Sequence, residues 1–409
     1  MIFRMPASPV TMNTVTRKIL AYNKNRVATL VKLKYAFIRQ DVFRFYRGTC
    51  HLFYEALAKK INWKDDTRCW ITGDLHLENF GTYKGDNGVV YFDMNDFDEA
   101  LLAPATWELC RLLTSIHLAV HVLSLGEDMA AYLCGVCMDT YINALKNGKP
   151  VTIEKETATG LLKYFLETVK QRREKDFILS RMQRRKKQWK LVIDNKKTIA
   201  LTTGEKEKIA GALNHWMDTH LEKGKFRVLD AAHRIAGTGS VGIQRYVLLV
   251  HEKKGNKFYL IDIKESKPSC LLPYSPYKQP GWENEAVRVL SLQKMVQHVS
   301  PAFLHTLVIG QTPFILKQLQ PVEDRMDLRL CHGKRKDLAG ILITMAQASA
   351  SGQLRSGGRL DSSITDELVA FANNNKVWKK KVLLYASQYA KQVTKDYEAY
   401  CRDYDKGLE

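Results

Sequence analysis

A short loop near the start of the chain concentrates side chains that could carry out phosphoryl transfer. In the segment GDLHLENF, Asp74, His76 and Asn79 follow one another at close spacing. A carboxylate beside an attacking hydroxyl can accept its proton, and an amide oxygen is a suitable ligand for Mg²⁺. The spacing therefore predicts catalytic roles for Asp74 and His76 and a magnesium-binding role for Asn79.

Acidic residues stand at the end of the next predicted strand, VVYFDM. Asp93 lies within this apolar run and Asp96 follows it, so either carboxylate could join Asn79 as a magnesium ligand. We expect Asp96 to be the ligand, with Asp93 as the alternative, and Asp98 to support the site or to contact the acceptor. A surface loop followed by an acidic turn is the plain structural alternative, because single motifs also occur without function.

A second motif lies far downstream, in a stretch that alternates apolar and polar residues. Residues 226–266 predict three antiparallel strands, and Gly237, Gly239, Ser240 and Gly242 stand between the first two. These glycines join two strands instead of opening a strand-to-helix turn, which disfavours a dinucleotide-binding fold. The pattern favours a glycine-rich hairpin whose backbone N–H groups close over phosphates.

A lysine on the third predicted strand completes this motif. Lys264, in LIDIKES, is interpreted as a phosphate-contacting lysine, and an exposed strand lysine is the alternative. A helix predicted over 282–299 contains Glu283 and Glu285, and we expect Glu285 to pair with Lys264. The next apolar strand, PFILKQLQPVED, suits the hinge segment where an adenine would form hydrogen bonds with backbone groups.

Composition and charge restrict the class of protein. The chain has 409 residues, 45% of them hydrophobic, and a formal charge of +20. This length suffices for a two-lobed enzyme, and the charge favours anionic partners. No apolar run reaches the length of a membrane span or a secretory signal, so a cytoplasmic protein is expected. The eight scattered cysteines are expected to be reduced thiols.

The most basic stretch is residues 170–197, which contain QRREKDF and RRKKQWK. One interpretation is a surface for an anionic partner, either nucleic acid or membrane, with Trp189 available to stack or insert. A solvated helix face with one core aromatic residue is the favoured alternative.

The order of the motifs is unusual. In an ordinary protein kinase the glycine-rich hairpin and the strand lysine precede the catalytic loop, whereas here they follow it. Either the motifs are unrelated, or the fold is circularly permuted, which nearby surface termini would permit. The permuted interpretation predicts an α+β, two-lobed, kinase-like fold in four parts. These are lead-in helices packing on the helical lobe (1–72), the helical lobe with catalytic loop and metal site (73–225), a β-rich nucleotide-binding lobe (226–324) and C-terminal helices completing the helical lobe (325–409).

Several blocks together resemble one bacterial family. The blocks FRFYRGTC, GDLHLENFG, FDMNDFDE, PATWELCRLLTS, RIAGTGSVGIQRYVLLV, IDIKES, FILKQLQPVEDRMDL and AQASASG resemble, in order, those of the family called domain of unknown function 2252. That family is similar to the kinase-like fold of aminoglycoside and choline phosphotransferases. This chain departs from the latter at Thr72, where a histidine usually stands, and in AQASASG, which lacks the histidine of an AHA-like block.

The resemblance implies an ATP-dependent phosphotransferase with Mg²⁺. The matching positions are Asp74 for the catalytic aspartate, Asn79 and Asp96 for the metal ligands, Gly237, Gly239 and Gly242 for the phosphate loop, and Lys264 for the phosphate-contacting lysine. The acceptor would be an unidentified hydroxyl on a small molecule or a protein. Nucleotidyl transfer and a catalytically silent nucleotide- or nucleic-acid-binding scaffold are the alternatives, because one fold can host several functions.

Overall fold

The computed structural model describes residues 12–237, 239–322 and 324–408. Helices make up slightly less than half of the described chain. Their bounds are α1 Thr14–Asn23, α2 Ala28–Ile38, α3 Val42–Gly48, α4 Cys50–Lys60, α5 Ala105–Val122, α6 Glu127–Asn147, α7 Gly160–Lys170, α8 Glu174–Leu179, α9 Thr203–His220, α10 Glu285–Val296, α11 Arg335–Ser356, α12 Thr365–Asn373 and α13 Lys376–Asp405.

The strands form four sheets within these residues, and every strand pair is antiparallel. Their bounds are β1 Cys69–Ile71, β2 Phe80–Lys84, β3 Val90–Met94, β4 Leu101–Ala103, β5 Met182–Arg185, β6 Gln188–Leu191, β7 Thr198–Ile199, β8 Phe226–Arg234, β9 Arg245–Glu252, β10 Lys257–Glu265, β11 His305–Ile309, β12 Thr312–Gln318 and β13 Asp324–Arg325. The predicted mixture of helices and antiparallel strands is confirmed.

The largest sheet has six strands in the order β11-β12-β10-β9-β8-β7. Residues alternate between its two faces, as they do in any strand. On β10, Ile261 and Ile263 pack in a core that includes Leu213 and Trp216 of α9, while Leu260 packs on the opposite face with α8 and the β5–β6 hairpin. Alternation therefore places Lys264 on the face that α9 does not cover.

The predicted start of the β-rich part at residue 226 is too late. Strand β7 belongs to the large sheet, and α9 covers one face of it. The opposite face is covered by α8 and by β5 and β6. The elements from α8 to α9 therefore pack on or belong to the large sheet.

A second and larger core gathers helices from both ends of the chain. Helices α1, α3 and α4 contribute Ile19, Phe45 and Phe53, and α13 contributes Tyr389 and Tyr400, to the same cluster as α5, α6, α10 and α11. The aromatic rings of Phe45 and Tyr400 lie 5.6 Å apart between centroids. The first described helices thus pack on the helical part, where sequence reasoning placed them.

Three further observations concern the chain as a whole. No helix in the described ranges is long and apolar enough to cross a membrane. All eight cysteines are free, and seven of them are buried. The short sheet β13-β2-β3 and the pair β1-β4 lie beside the loop that follows β1 and thereby fix its two ends.

Candidate functional site

A cavity of about 440 Å³ brings the two sequence motifs together, although about 160 residues separate them along the chain. We call it the central cavity. From the first motif it is lined by Asp74, His76, Asn79, Asp96 and Asp98, and from the second by Gly237, Gly239 and Ser240.

The backbone around Asp74 is shaped by the glycine before it. Gly73 has φ +78°, and a side chain there would meet the Glu99 carbonyl oxygen at 2.2 Å. Thr72 donates from both its backbone N–H and its hydroxyl to Glu108, each at 2.6 Å. Since only glycine fits this turn and a buried glutamate holds its start, the loop presents Asp74 in one orientation.

Arg111 is the ionic partner of Asp74. Its Nε donates to Oδ1 of Asp74 at 2.6 Å, and its side chain is fully buried on α5. Burial raises the pKa of Asp74 to about 6, although the Arg111 guanidinium opposes this rise. A carboxyl with a pKa near 6 is matched to proton transfer near neutral pH.

His76 lies in the wall of the cavity in a buried environment. Its Nδ1 accepts a hydrogen bond from the backbone N–H of Glu78 at 3.2 Å, which caps the 3₁₀ turn Leu77–Asn79. Burial and the nearby Arg47 and Arg111 lower its pKa well below the ordinary value. His76 is therefore a neutral imidazole that shapes the loop, and its catalytic role stays a prediction.

Asn79 and Asp96 are brought together by a backbone contact between their segments. The N–H of Asn95 donates to the Asn79 carbonyl at 2.9 Å. The Asn79 side-chain nitrogen donates to the Asp74 carbonyl at 2.6 Å, so its amide oxygen is the atom that remains for a cation. Asp96 also lines the cavity and is about 39% exposed. An amide oxygen and an accessible carboxylate suit Mg²⁺, which keeps several water or phosphate ligands.

Within the described ranges, no group of three or more His, Cys, Asp and Glu side chains is arranged to hold a metal ion. A magnesium site here would therefore use one amide, one carboxylate and oxygens that the protein does not supply.

The alternative metal ligand, Asp93, lies elsewhere. Its carboxylate accepts a hydrogen bond from Arg355 Nη2 at 2.8 Å in the interior, next to α11. It is buried and does not line the central cavity. Asp93 is therefore not placed to share a metal ion with Asn79 and Asp96, because its carboxylate is buried in an ion pair with Arg355.

Lys264 pairs with the acidic segment, by which we mean residues 96–98, and not with the glutamate that was predicted. Its ammonium pairs with Asp98 and lies 3.5 Å from Asp96 Oδ1. Burial tends to raise the pKa of Asp96, but the nearby charge of Lys264 opposes this, and the pKa is lowered. Burial, followed by the charge of Asp96, raises the pKa of Asp98. The cluster therefore has two carboxylates around one cation.

The predicted pair between Glu285 and Lys264 is not formed. Glu285 accepts instead from Arg288 Nε at 2.6 Å, three residues along α10. Arg288 also donates to the carbonyls of Asp98 and Lys267. The glutamate is thus used to hold an arginine that ties α10 to the acidic segment, and Asp98 takes its expected place beside Lys264.

The glycine-rich turn lies directly over Asp74. Gly237 and Gly242 have φ +74° and +94°, which favour glycine. The hydroxyl of Ser240 donates to the Ala236 carbonyl at 2.8 Å and closes the turn. A methyl group added at Gly239 would lie 3.4 Å from the Arg47 carbonyl oxygen and 3.9 Å from Asp74 Oδ2.

Sequence reasoning missed the residues that hold this turn from outside. Arg26 Nη1 donates to the carbonyls of Gly239 and Val241, each at 2.8 Å, and Lys34 donates to the Gly239 carbonyl at 3.1 Å. Spacing could have revealed Lys34, because it stands four residues from both Leu30 and Ile38 on the buried face of α2.

A second cavity, of about 550 Å³, adjoins the strand predicted to bind adenine. Its apolar lining includes Ala236, Val247 and Leu319, from the start of the glycine turn, from β9 and from the end of β12. Arg234 lines it and pairs with Asp262 at 3.0 Å, and Asp262 lies two residues before Lys264 on β10. This second cavity therefore meets the face of the large sheet that carries Asp262 and Lys264.

The basic stretch turns out to be mostly a hairpin that packs on the large sheet. Met182 and Leu191 are buried against it, and Trp189 contacts Phe258 edge to face at 5.6 Å. The charged residues at the hairpin tip, Arg185 and Lys186 among them, are exposed. The favoured alternative of a solvated face with one core aromatic residue fits this arrangement, although the element is a hairpin and not a helix.

Comparison with known proteins identifies a family. A family model described as "Uncharacterized protein conserved in bacteria (DUF2252)" matches residues 26–403, so the chain belongs to this family, as its motifs predicted. No curated protein and no solved structure matches the chain.

Proposed function

We propose that this protein is an ATP-dependent phosphotransferase that moves the γ-phosphate of ATP to a hydroxyl group. The observation that carries the proposal is the convergence of Asp74, Asn79, Asp96 and the glycine turn on one cavity, with Lys264 paired to the acidic segment. Phosphoryl transfer needs these groups in one place, because catalysis depends on positioning and charge stabilisation.

The two cavities described above suggest where ATP would bind. The cavity beside Leu319 and Val247 suits a base, since part of its wall is apolar. Lys264 and the turn around Gly239 would then contact the phosphates. We assign Asn79 and Asp96 to Mg²⁺, which when bound would neutralise phosphate charge.

Asp74 would act on the acceptor. Its carboxylate takes the proton of the acceptor hydroxyl as the oxygen forms a bond to the γ-phosphorus. The bond between that phosphorus and the β–γ bridging oxygen breaks, and ADP leaves with the electron pair. Arg111 orients Asp74 from the buried side, as a fixed base requires.

A circularly permuted kinase-like fold is part of this proposal. The five longer strands, β8 to β12, belong to one sheet. The glycine turn lies between β8 and β9, and the lysine lies on β10. The loop with Asp74 comes earlier in the chain and is followed by the hairpin β2–β3 and Asp96. This is the order expected if the termini lie before the catalytic loop.

The proposal is tested by incubating the protein with Mg²⁺ and ATP labelled at the γ- or the α-phosphate. We expect transfer from γ-labelled ATP alone, to a component of a bacterial small-molecule or protein extract. Asp74→Asn should reduce transfer by about 100-fold or more and leave nucleotide binding unchanged. Asp128→Asn, on the exposed first turn of α6, is the matched control.

Other outcomes would replace the proposal. Transfer of the α-label with release of pyrophosphate would indicate a nucleotidyltransferase. Nucleotide binding without transfer of either label would indicate a catalytically silent nucleotide-binding protein.

A further inference from the structure

One wall of the central cavity is cationic and is formed by residues from the N-terminal helices. Arg26, Lys34 and Arg47 line the cavity on the outer side of the glycine turn. We call these three residues the cationic wall. Lys264 lies beyond the same turn, with Asp96 and Asp98, so the wall is separate from the lysine assigned to ATP.

The wall has few direct ion pairs, although Glu99 and Asp74 of the same cavity act on Lys34 electrostatically. The Lys34 side chain is about 1% exposed, and within the described residues no carboxylate lies within ion-pair distance of it. Its ammonium has one hydrogen-bond acceptor, the Gly239 carbonyl at 3.1 Å. An ammonium carries three donors, so two are not used by protein groups.

The two arginines show the same shortage of anions. Arg26 donates only to carbonyl oxygens, those of Gly239 and Val241. Arg47 pairs with Glu78, but that carboxylate is shared with Arg325 at 2.5 Å, and the buried Nε of Arg47 has no partner. Burial and the neighbouring Arg26 also lower the pKa of Lys34 well below its ordinary value. An isolated buried cation is costly, so such a site favours an anionic ligand.

The wall also lies beside the proposed base. Arg26 and Lys34 both bond to the Gly239 carbonyl, and a methyl group at Gly239 would be 3.9 Å from Asp74 Oδ2. A molecule with its hydroxyl at Asp74 would therefore place a neighbouring group against the wall. Guanidinium and ammonium groups together suit a phosphate group, because its oxygens accept several charge-assisted hydrogen bonds.

We infer that the cationic wall binds a phosphate group of the acceptor, so that the substrate class is a phosphorylated hydroxyl compound. The identity of the ligand as an acceptor rests on the proposed function, whereas the anion site does not. The wall would hold one end of the acceptor while Asp74 receives the proton from the other.

The test is a calorimetric titration of the full-length protein with inorganic phosphate at low ionic strength. We expect Lys34→Met to weaken phosphate binding about tenfold or more, as expected for a lost charge-assisted hydrogen bond. Lys32→Met, on the exposed face of the same helix, is the matched control and should bind as the wild type does. Arg26→Gln provides a second variant, should Lys34→Met fail to fold in a thermal unfolding scan.

Lys264→Met separates the two anion sites. The phosphate binding that depends on Lys34 should persist in this variant within about twofold of the wild type, since Lys264 does not line the central cavity. No binding to the wild type, equal binding to Lys34→Met, or a loss in Lys264→Met alone would overturn the inference. Phosphate binding as expected in a protein that transfers no label from ATP would refute the proposed function and leave the anion site standing.

Discussion

Two charged clusters are centred on residues two positions apart on β10, one around a carboxylate and the other around an ammonium group. Asp262 is one carboxylate between two guanidiniums, with Arg245 at 2.6 and 3.0 Å and Arg234 at 3.0 Å. Lys264 is one ammonium between two carboxylates, Asp96 and Asp98. In their direct ion pairs, Asp262 faces two cations and Lys264 faces two carboxylates, although Arg245 acts electrostatically on both clusters.

The two clusters also differ in access. Asp262 has a side-chain exposure of about 2%, whereas Asp96 and Asp98 are about 39% and 29% exposed. A closed and fully paired cluster holds strands together. An open cluster whose carboxylates stay partly exposed can accept a divalent cation and a nucleotide. We therefore regard Asp262 as structural and Lys264 as functional.

The largest expected difference is in stability. Asp262→Asn should lower the free energy of unfolding by about 3 to 5 kcal/mol, because it removes a buried carboxylate that pairs with two half-buried guanidiniums. Asp98→Asn should change the free energy of unfolding by less than about 1 kcal/mol. Burial already raises the pKa of Asp98, and Lys264 retains Asp96 as an ionic partner in this variant. Urea denaturation of both variants measures the difference.

The dependence of stability on pH also reports on Asp262. Burial opposes ionisation of Asp262, but Arg234 and Arg245 outweigh it and lower its pKa in the folded state. Its contribution is therefore present above the unfolded-state pKa near 4 and is lost as pH falls below that value. Equal destabilisation by Asp262→Asn and Asp98→Asn would contradict the distinction between the clusters.

A smaller effect is expected in the pH dependence of turnover. Burial raises the pKa of Asp74 to about 6, and the proposed base acts only when it is ionised. Transfer should therefore be full above this pH and fall about tenfold per unit below it. ATP binding, measured over the same range, should not follow this limb, and a rate that stays constant down to pH 4.5 would argue against Asp74 as the base.

The smallest expected effect concerns the basic hairpin. Lys186 and Lys187 form its two-residue turn with φ +46° and +65°, values that favour Asn-Gly in this position. Lys186→Asn with Lys187→Gly should stabilise the protein by up to about 1 kcal/mol and leave ATP binding unchanged. Salt-dependent RNA binding that this variant loses would instead support a nucleic-acid-binding scaffold.

Local spacing predicted the part of the central cavity that the two motifs supply. The glycine turn and the loop with Asp74 and Asn79 could be found because each depends on a backbone shape that only a few residues adopt. Gly73, Gly237 and Gly242 all have positive φ, and such positions favour glycine, which can be recognised in the sequence. Thr72 and Glu108, by contrast, meet only through tertiary packing.

Partners chosen across long distances could not be predicted. Glu285 was expected beside Lys264, but Arg288 lies one helical turn away and competes for it. Asp93 and Asp96 look alike in the sequence, and only the register of β3 turns Asp93 towards Arg355. The basic stretch was misread because the alternation of a short hairpin is hidden by its charged turn.

A titration with Mg·ATP tests the account most directly, because it needs no knowledge of the acceptor. We predict that Lys264→Met weakens binding at least about tenfold while its thermal unfolding stays close to that of the wild type. Lys257→Met, at the exposed start of the same strand, should bind ATP normally. Equal ATP affinity in all three proteins, or no binding to any of them, would contradict the assignment of the Lys264 cluster to a nucleotide.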